Sequence, residues 1–247
     1  MRLNGRTVLV TGGGSGIGRG LAEALHALGN TVIVAGRRAD HLEAVAAGSP
    51  GIRTMALDIT DPSNIARVAR NVVQSHPELD VLINNAGVML DTDLTRPVAD
   101  DDLERTVATN LLGPIRLVSA LIDHMSAVPS AAIVNVSSML AYAPLARAPL
   151  YSATKSGLHS YTLSLRHQLQ ARNIEVIEIA PPFTSTALQP INLTDARAMP
   201  LDAFIRETVA ALETGELEAY VTSARQRRDA LRTGDIAATQ RLNELMG

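Results

Sequence analysis

The sequence predicts an α/β fold, a doubly wound parallel sheet, built as one domain over all 247 residues. Three observations carry that expectation. Short apolar runs rich in β-branched residues alternate with longer stretches of helical period, as in strands buried on both faces of a parallel sheet. A glycine-rich turn follows the first of these runs and opens the first helix. No change of composition, internal repeat or linker divides the chain, so the alternation reads as one layered unit.

Taken in order, residues 7–11 (Thr-Val-Leu-Val-Thr) form the first strand and pass into Gly12-Gly13-Gly14-Ser15-Gly16-Ile17-Gly18. Ile17, Leu21, Ala24, Leu25 and Leu28 then recur at helical spacing until Gly29-Asn30 stops the helix. Residues 31–35 make the second strand, with Gly36-Arg37-Arg38 at its end, followed by a helix at 39–47 and a strand at 53–57 closing on Asp58. Asp61-Pro62 caps a helix to about residue 75, and 80–83 is a fourth strand ending in Asn84-Asn85-Ala86-Gly87. A long helix is expected at 101–126, kinked at Gly113-Pro114. Strand five at 132–136 runs into Ser137-Ser138, a helix spans 150–171, and strand six at 175–179 ends at Pro181-Pro182. Residues 183–213 read as a substrate-lid segment with a helix at 201–213. A short strand at 219–222 and a helical tail over 224–247 complete the chain.

Composition excludes several functions. Hydrophobic residues are 46% and charged residues 19%, which suits a packed core and not a disordered chain. Four Tyr, two Phe and no Trp leave the core aliphatic and provide no stacking platforms for single-stranded nucleic acid. With a net charge of −3 and no basic block beyond 225–228, no nucleic-acid partner is expected. The absence of cysteine removes disulfides, thiolate metal sites and cysteine nucleophiles. The His residues are scattered; His159 and His167 lack a matching carboxylate pattern and read as surface or packing residues, so no metal is expected. No apolar run reaches the ~18 residues of a membrane span, and the early first strand leaves no room for a signal peptide. A soluble, cytoplasmic protein without a membrane partner is expected.

The chemistry is expected in Leu150-Tyr151-Ser152-Ala153-Thr154-Lys155-Ser156-Gly157. On a helix, Tyr151 and Lys155 stand on one face about one turn apart. A phenol titrates near pH ~10, and a nearby ammonium favours its ionised form, so the pairing predicts a phenol made usable as an acid/base near neutrality. Lys155 is the only lysine in a chain whose other basic residues are all arginine. A compact three-donor ammonium has been kept here where a guanidinium cannot substitute.

A glycine turn between strand and helix lets a pyrophosphate approach the helix N-terminus. With the spacing Thr11-Gly12-x-x-x-Gly16-x-Gly18, the chain resembles the short-chain dehydrogenase/reductase family in its single-domain Rossmann form, over about residues 5–222. The resemblance implies a nucleotide cofactor held by Gly12, Gly14, Ser15, Gly16, Ile17 and Gly18. It places Asp58 and Ile59 at the adenine, Asn85, Ala86 and Gly87 along the sheet, and Pro181, Phe183, Thr184 and Thr186 among the cofactor contacts, with Tyr151 and Lys155. Asn110, Ser138, Tyr151 and Lys155 match the family's catalytic tetrad, with 13 residues from Ser138 to Tyr151 and four on to Lys155. The family usually has Pro-Gly after strand six; Pro181-Pro182 resembles a subgroup of small oxidoreductases. NADP-preferring members often carry a base where Ser15 stands. At the end of strand two, however, Arg37 and Arg38 replace the acid that would hold the ribose of NAD, and forked guanidinium donors suit a 2′-phosphate. NADP(H) is therefore favoured, with NAD(H) possible.

The implied roles are Tyr151 as general acid/base and Lys155 as the group that lowers its pKa and holds the ribose. Ser138 would hydrogen-bond the substrate oxygen, and Asn110 would hold a water that links Lys155 to solvent. The substrate wall is expected from Met139, Leu140, Ala141, Tyr142, Leu145, Phe183 and parts of 184–200. With few charges, it suits an aliphatic or weakly polar ketone or alcohol better than a polyanion. The helices at 101–126 (Leu111, Ile115, Val118, Leu121, Ile122) and 150–171 (Leu158, Tyr161, Leu165, Leu169) carry apolar stripes; these either pack on the protein's own sheet or, as the resemblance implies, pair across a two-fold axis, and a homodimer or homotetramer is expected. Two other readings share these motifs. A silent NADP(H)-binding redox sensor would tend to lose the Tyr-Lys pair; a sugar epimerase or dehydratase would be longer, with its glycines spaced differently.

Overall fold

The computed structural model describes residues 3–231 and 243–245. Its strands are β1 (Thr7–Thr11), β2 (Thr31–Gly36), β3 (Arg53–Ala56), β4 (Val81–Asn84), β5 (Ala131–Val136) and β6 (Ile174–Ile179). They form one parallel sheet in the order β3-β2-β1-β4-β5-β6. The helices are α1 (Gly16–Ala27), α2 (Ala39–Gly48), α3 (Pro62–Ser75), α4 (Asp100–Val107), α5 (Gly113–Ala127), α6 (Pro149–Gln168), α7 (Leu201–Glu213) and α8 (Thr222–Leu231).

The strands look uniformly apolar because each residue is buried on one face or the other. Val8 and Val10 of β1 join Val32, Val34, Leu21, Leu25, Phe204 and Leu212 beneath α1 and α7. Leu9, between them in sequence, points the opposite way and joins Ile33, Ile65, Val68, Leu117, Leu121 and Leu165 beneath α3, α5 and α6. This two-residue alternation gives helix cover on both faces. The order reverses between β1 and β4, where the flanking loops part and leave a crevice at the strands' C-terminal ends.

Two expectations change, and a third is met as far as the described residues go. No seventh strand forms at 219–222: alongside β6 there is only an isolated parallel bridge, Glu178 with Glu218, among the described residues. Helix α8 begins at Thr222 and leaves no length for a ladder. Of the helical tail, α8 and residues 243–245 are helical; the stretch between lies outside the described residues. The apolar stripes of the long helices also face largely inward. Val118, Leu121, Leu165 and Leu169 belong to the protein's own core, and Leu158 is buried. Leu112 and Leu163 remain exposed on these helices, with Leu111 and Ile115 partly so.

The long helix departs from regular geometry earlier than Gly113-Pro114. A π turn over Ala108–Leu112 separates α4 from α5, while Pro114 lies in the first turn of α5, where its missing N–H costs nothing. Gly113 meets a different demand, because a Cβ there would stand 2.5 Å from Ile59 Cγ1 and 2.7 Å from the Ile59 carbonyl oxygen. Gly113→Ala should therefore destabilise the fold by about 1–3 kcal/mol through overpacking. The check is chemical denaturation, where the midpoint should fall with the slope unchanged; an unmoved midpoint would mean that Ile59 gives way freely.

Candidate active site

A cavity of about 750 Å³ occupies the crevice between the ends of β1 and β4. Its floor is laced by Thr11, the last residue of β1. The Thr11 hydroxyl accepts from the backbone N–H of Asn85 (3.0 Å) and of Ala86 (3.1 Å), and donates to the Ile83 carbonyl (3.3 Å). In return the Asn85 side-chain amide donates to the Thr11 carbonyl at 2.9 Å. The glycine loop is thus fixed to the segment that follows β4. A Cβ at Gly18 would stand 2.3 Å from Asn85 Nδ2 and 2.5 Å from the Gly12 carbonyl oxygen, so only glycine lets α1 settle onto the loop. Gly18 therefore shapes the cradle from behind, whereas Gly12, Gly14, Ser15, Gly16 and Ile17 line the cavity itself.

The start of α1 suits an anion. Ser15 makes no side-chain cap, and the first turn carries no acid, so neither satisfies the free backbone N–H groups that favour negative charge at a helix N-terminus. The Ser15 hydroxyl instead accepts from Arg38 Nη2 at 3.1 Å. Arg37 and Arg38 are exposed and line this end, as do His41 and Ile59. Asp58 does not line the cavity. Its carboxylate accepts from Thr60 N–H (2.9 Å) and Thr60 Oγ1 (2.7 Å); burial pushes its pKa up, but these bonds and the charge of Arg37 outweigh that and hold it below the usual range. Thr109, from the π turn, lines the cavity with a buried hydroxyl that bonds no protein group among the described residues. An uncapped helix start, glycines without side chains and two arginines fit a dinucleotide carrying phosphate.

The far end of the cavity is formed by α6 and the end of β5. Tyr151 and Lys155 share a face of α6 and are buried, at 7% and 3% exposure. Lys155 Nζ donates to the Val136 carbonyl at 2.8 Å and lies 5.6 Å from the centre of the Tyr151 ring. Ser138 follows β5, starts a 3₁₀ turn over Met139–Ala141, and accepts from Leu140 N–H at 3.1 Å. Burial pushes the Tyr151 phenol up to about 12, opposed by its hydrogen bond with Ser138. Burial pushes Lys155 down to about 8, opposed by the charge of Glu178. The expected lowering of the phenol by Lys155 is not what this geometry gives: the ammonium is spent on the β5 carbonyl, and desolvation dominates.

Asn110 lies in the π turn, fully buried, and lines none of the cavity. Its Oδ1 accepts from Val88 N–H (2.8 Å), while Nδ2 donates to the Val88 carbonyl (2.8 Å) and to Thr154 Oγ1 (3.1 Å). The side chain is engaged by protein, clamping the loop after β4. Gly87 lies beside it, where an added Cβ would be 3.5 Å from Asn110 Oδ1 and 3.7 Å from Lys155 Nζ.

Met139, Leu140, Leu145, Pro181, Phe183, Thr184 and Thr186 line the cavity, as do Asn85, Ala86 and Gly87. Ala141 and Tyr142 do not. Tyr142 turns away to bond Tyr220 Oη (2.5 Å) and His159 Nδ1 (3.1 Å). Nor is the wall nearly free of charge: Arg105, Arg147 and Arg197 reach it. Each has a nearby carboxylate, Asp102 at 3.1 Å, Asp91 at 3.8 Å and Asp195 at 2.6 Å respectively. Met89, Leu90 and Gln189 also line it. Gln189 ties the lid segment to the loop after β4 by donating to Asp91 at 2.7 Å. That loop has no sequence period, so only the crevice geometry reveals its part in the wall. Among the described residues there is no helix long and apolar enough to cross a membrane, and no cluster of metal-ligating side chains.

Known proteins match this architecture closely. The family described as short chain dehydrogenase matches residues 6–196. The chain is 35% identical over 241 residues to the "uncharacterized oxidoreductase DltE" of Bacillus subtilis (strain 168), with 94% of both chains covered. It is 33% identical over 192 residues to the 3-oxoacyl-[acyl-carrier-protein] reductase FabG of Thermotoga maritima, spanning 76% of this chain and 78% of that one. A short chain dehydrogenase from Burkholderia cenocepacia J2315, solved in complex with NADP, superposes with a TM-score of 0.85 at 25% identity, covering 98% of this chain and 99% of its own.

Proposed function

The chain belongs to the short chain dehydrogenase family, and we propose that it is an NADP(H)-dependent oxidoreductase that interconverts a small carbonyl compound and its secondary alcohol. One observation carries this reading. A single cavity joins the Arg37–Arg38 end of a glycine cradle to the buried Ser138, Tyr151 and Lys155. A silent sensor has no use for a phenol and an ammonium buried at the far end of its nucleotide cleft. The Burkholderia relative holds NADP in the same fold, and the arginines favour that cofactor here over NAD(H).

When bound, the dihydronicotinamide supplies hydride to the substrate's carbonyl carbon. Tyr151 gives its phenolic proton to the carbonyl oxygen as the general acid of the step. Ser138 donates a hydrogen bond to the same oxygen as charge builds on it. Lys155 stands one turn along the same helix face, held by the Val136 carbonyl, and its remaining donors suit a ribose. In oxidation the phenolate takes the alcohol proton. The apolar part of the wall, Met139, Leu140, Leu145 and Phe183, excludes water from the reacting atoms.

Tyr151→Phe keeps the ring and removes the proton, so NADPH should still bind while turnover of an active carbonyl falls by ~10² or more. A screen of ketones, aldehydes and quinones with NADPH supplies the assay; undiminished turnover in the variant would remove Tyr151 from the acid/base role.

Cofactor choice is tested at Arg37. Arg37→Ala should weaken NADPH roughly tenfold or more and leave NADH nearly unchanged, because a forked contact to the 2′-phosphate is lost. The preference should also shrink with salt, since these arginines are exposed and screened. Fluorescence titration of the wild type with both cofactors decides the matter: equal affinities would assign the arginines to the solvated surface.

The assembly proposed is a homodimer or homotetramer through the outer faces of the π turn, α5 and α6, now resting on Leu112, Leu163, Leu111 and Ile115. Light scattering at micromolar concentration should give at least twice the chain mass of 26.2 kDa; a monomer mass would show these residues to be ordinary exposed side chains.

A further inference from the structure

Strand β6 carries a carboxylate where a parallel strand is ordinarily apolar. Glu178 is fully buried, a costly place for a charge unless it is surrounded by donors. Four side chains surround it. Ser137 Oγ donates to Oε1 at 2.5 Å, while Oε2 accepts from His159 Nδ1 (2.8 Å), Tyr220 Oη (3.2 Å) and Tyr142 Oη (3.4 Å). These donors come from the end of β5, from α6, from the segment after α7 and from the turn after Ser138. The hydride-transfer chemistry uses none of them.

The position of this cluster relative to the active site gives it meaning. Ser137 lies between Val136, whose carbonyl holds Lys155 Nζ, and Ser138, which faces the cavity. His159 is one helical turn beyond Lys155 on α6. Glu178 therefore grips both elements that carry the catalytic side chains, and its charge is felt by Lys155, the only lysine in the sequence.

We propose that Glu178 is a positioning residue of this site: its buried carboxylate supplies the counter-charge for the Lys155 ammonium and fastens Ser137, and through it Ser138, to α6. This rests on Lys155 being part of the hydride-transfer site, but the interaction with Glu178 is measurable without turnover. Burial alone drives Lys155 toward the neutral amine, and the charge of Glu178 opposes that drive. The ammonium is present below about pH 8 and lost as pH rises through it; removing the carboxylate should shift that loss to lower pH. The other charged or titratable groups facing the cluster are His159 and Tyr151 on α6, Tyr142, Tyr220, and the paired Glu218 and Arg228 behind Tyr220. His159 is 22% exposed.

Because Lys155 is unique, protein grown with ¹³Cε-lysine gives one side-chain signal, and its shift against pH reads the Lys155 midpoint directly. Glu178→Gln, which preserves shape and an acceptor for Ser137, should lower that midpoint by about one pH unit or more. Ser137→Ala, which removes a hydrogen bond but no charge, should leave it in place; a purely structural role for the cluster would move the two variants alike. Should Glu178→Gln fail to fold, Glu178→Asp withdraws the charge by one methylene and should lower the midpoint by a smaller, measurable amount. A midpoint unmoved in a folded Glu178 variant, or moved equally by Ser137→Ala, overturns the proposal. Loss of catalysis in Tyr151→Phe bears on the hydride-transfer reading and leaves this titration unaffected, so the two can fail separately.

Discussion

Keeping a lysine ammonium at 3% exposure constrains everything around it. A buried cation has to be met by fixed acceptors or opposite charge, or it surrenders its proton. Here the acceptor is the Val136 carbonyl at the C-terminal end of β5, and the opposite charge is Glu178 on the adjacent strand. Both are available because β5 and β6 pair in register up to Val136 and Ile179. The sheet and α6 thus determine together where Lys155 can stand, and Tyr151 follows one turn earlier on the same helix.

A similar economy governs the opposite end of the cavity. β1 and β4 are neighbours although they are far apart in sequence, and the chain leaves their ends in opposite directions. Thr11 closes the gap at the base by taking both N–H groups of Asn85 and Ala86 on one hydroxyl. That leaves the N-terminus of α1 uncapped and directed into the crevice, a feature with no structural benefit of its own. It becomes favourable when an anion sits there.

Polar groups continue beneath α6 as a row across the sheet. The Asn84 side-chain amide donates to Asn135 Oδ1 at 2.9 Å, and Asn135 Nδ2 donates to Thr162 Oγ1 at 2.9 Å. Glu178 extends such bonding to the edge strand, where His159, Tyr142 and Tyr220 complete it. Hydrogen bonds of this kind are directional, and they fix the angular setting of α6 more narrowly than aliphatic packing would. A reaction that depends on a phenolic oxygen and a serine hydroxyl meeting one substrate atom needs that narrowness.

Local chemistry by itself determined much of this protein. Six strands, the glycine turn, and Tyr151 with Lys155 on one helix face were legible, because period, turn residues and side-chain spacing act over a few residues. Ser138 stood out only through the resemblance, whose interval to Tyr151 it matches. What the sequence could not decide were partners distant along the chain. Tyr142 reads as a wall residue in the sequence, yet Tyr220 and Glu178 draw it away from the cavity. Glu178 reads as one more strand position until its donors from four separate segments are assembled. Arg105 and Arg147 reach the wall only because α4 and the start of α6 converge on the crevice. The lowered phenol expected from the Tyr-Lys spacing fails for the same reason: spacing brings the two groups together, but burial and the Val136 carbonyl set their energies, and both are properties of the folded sheet.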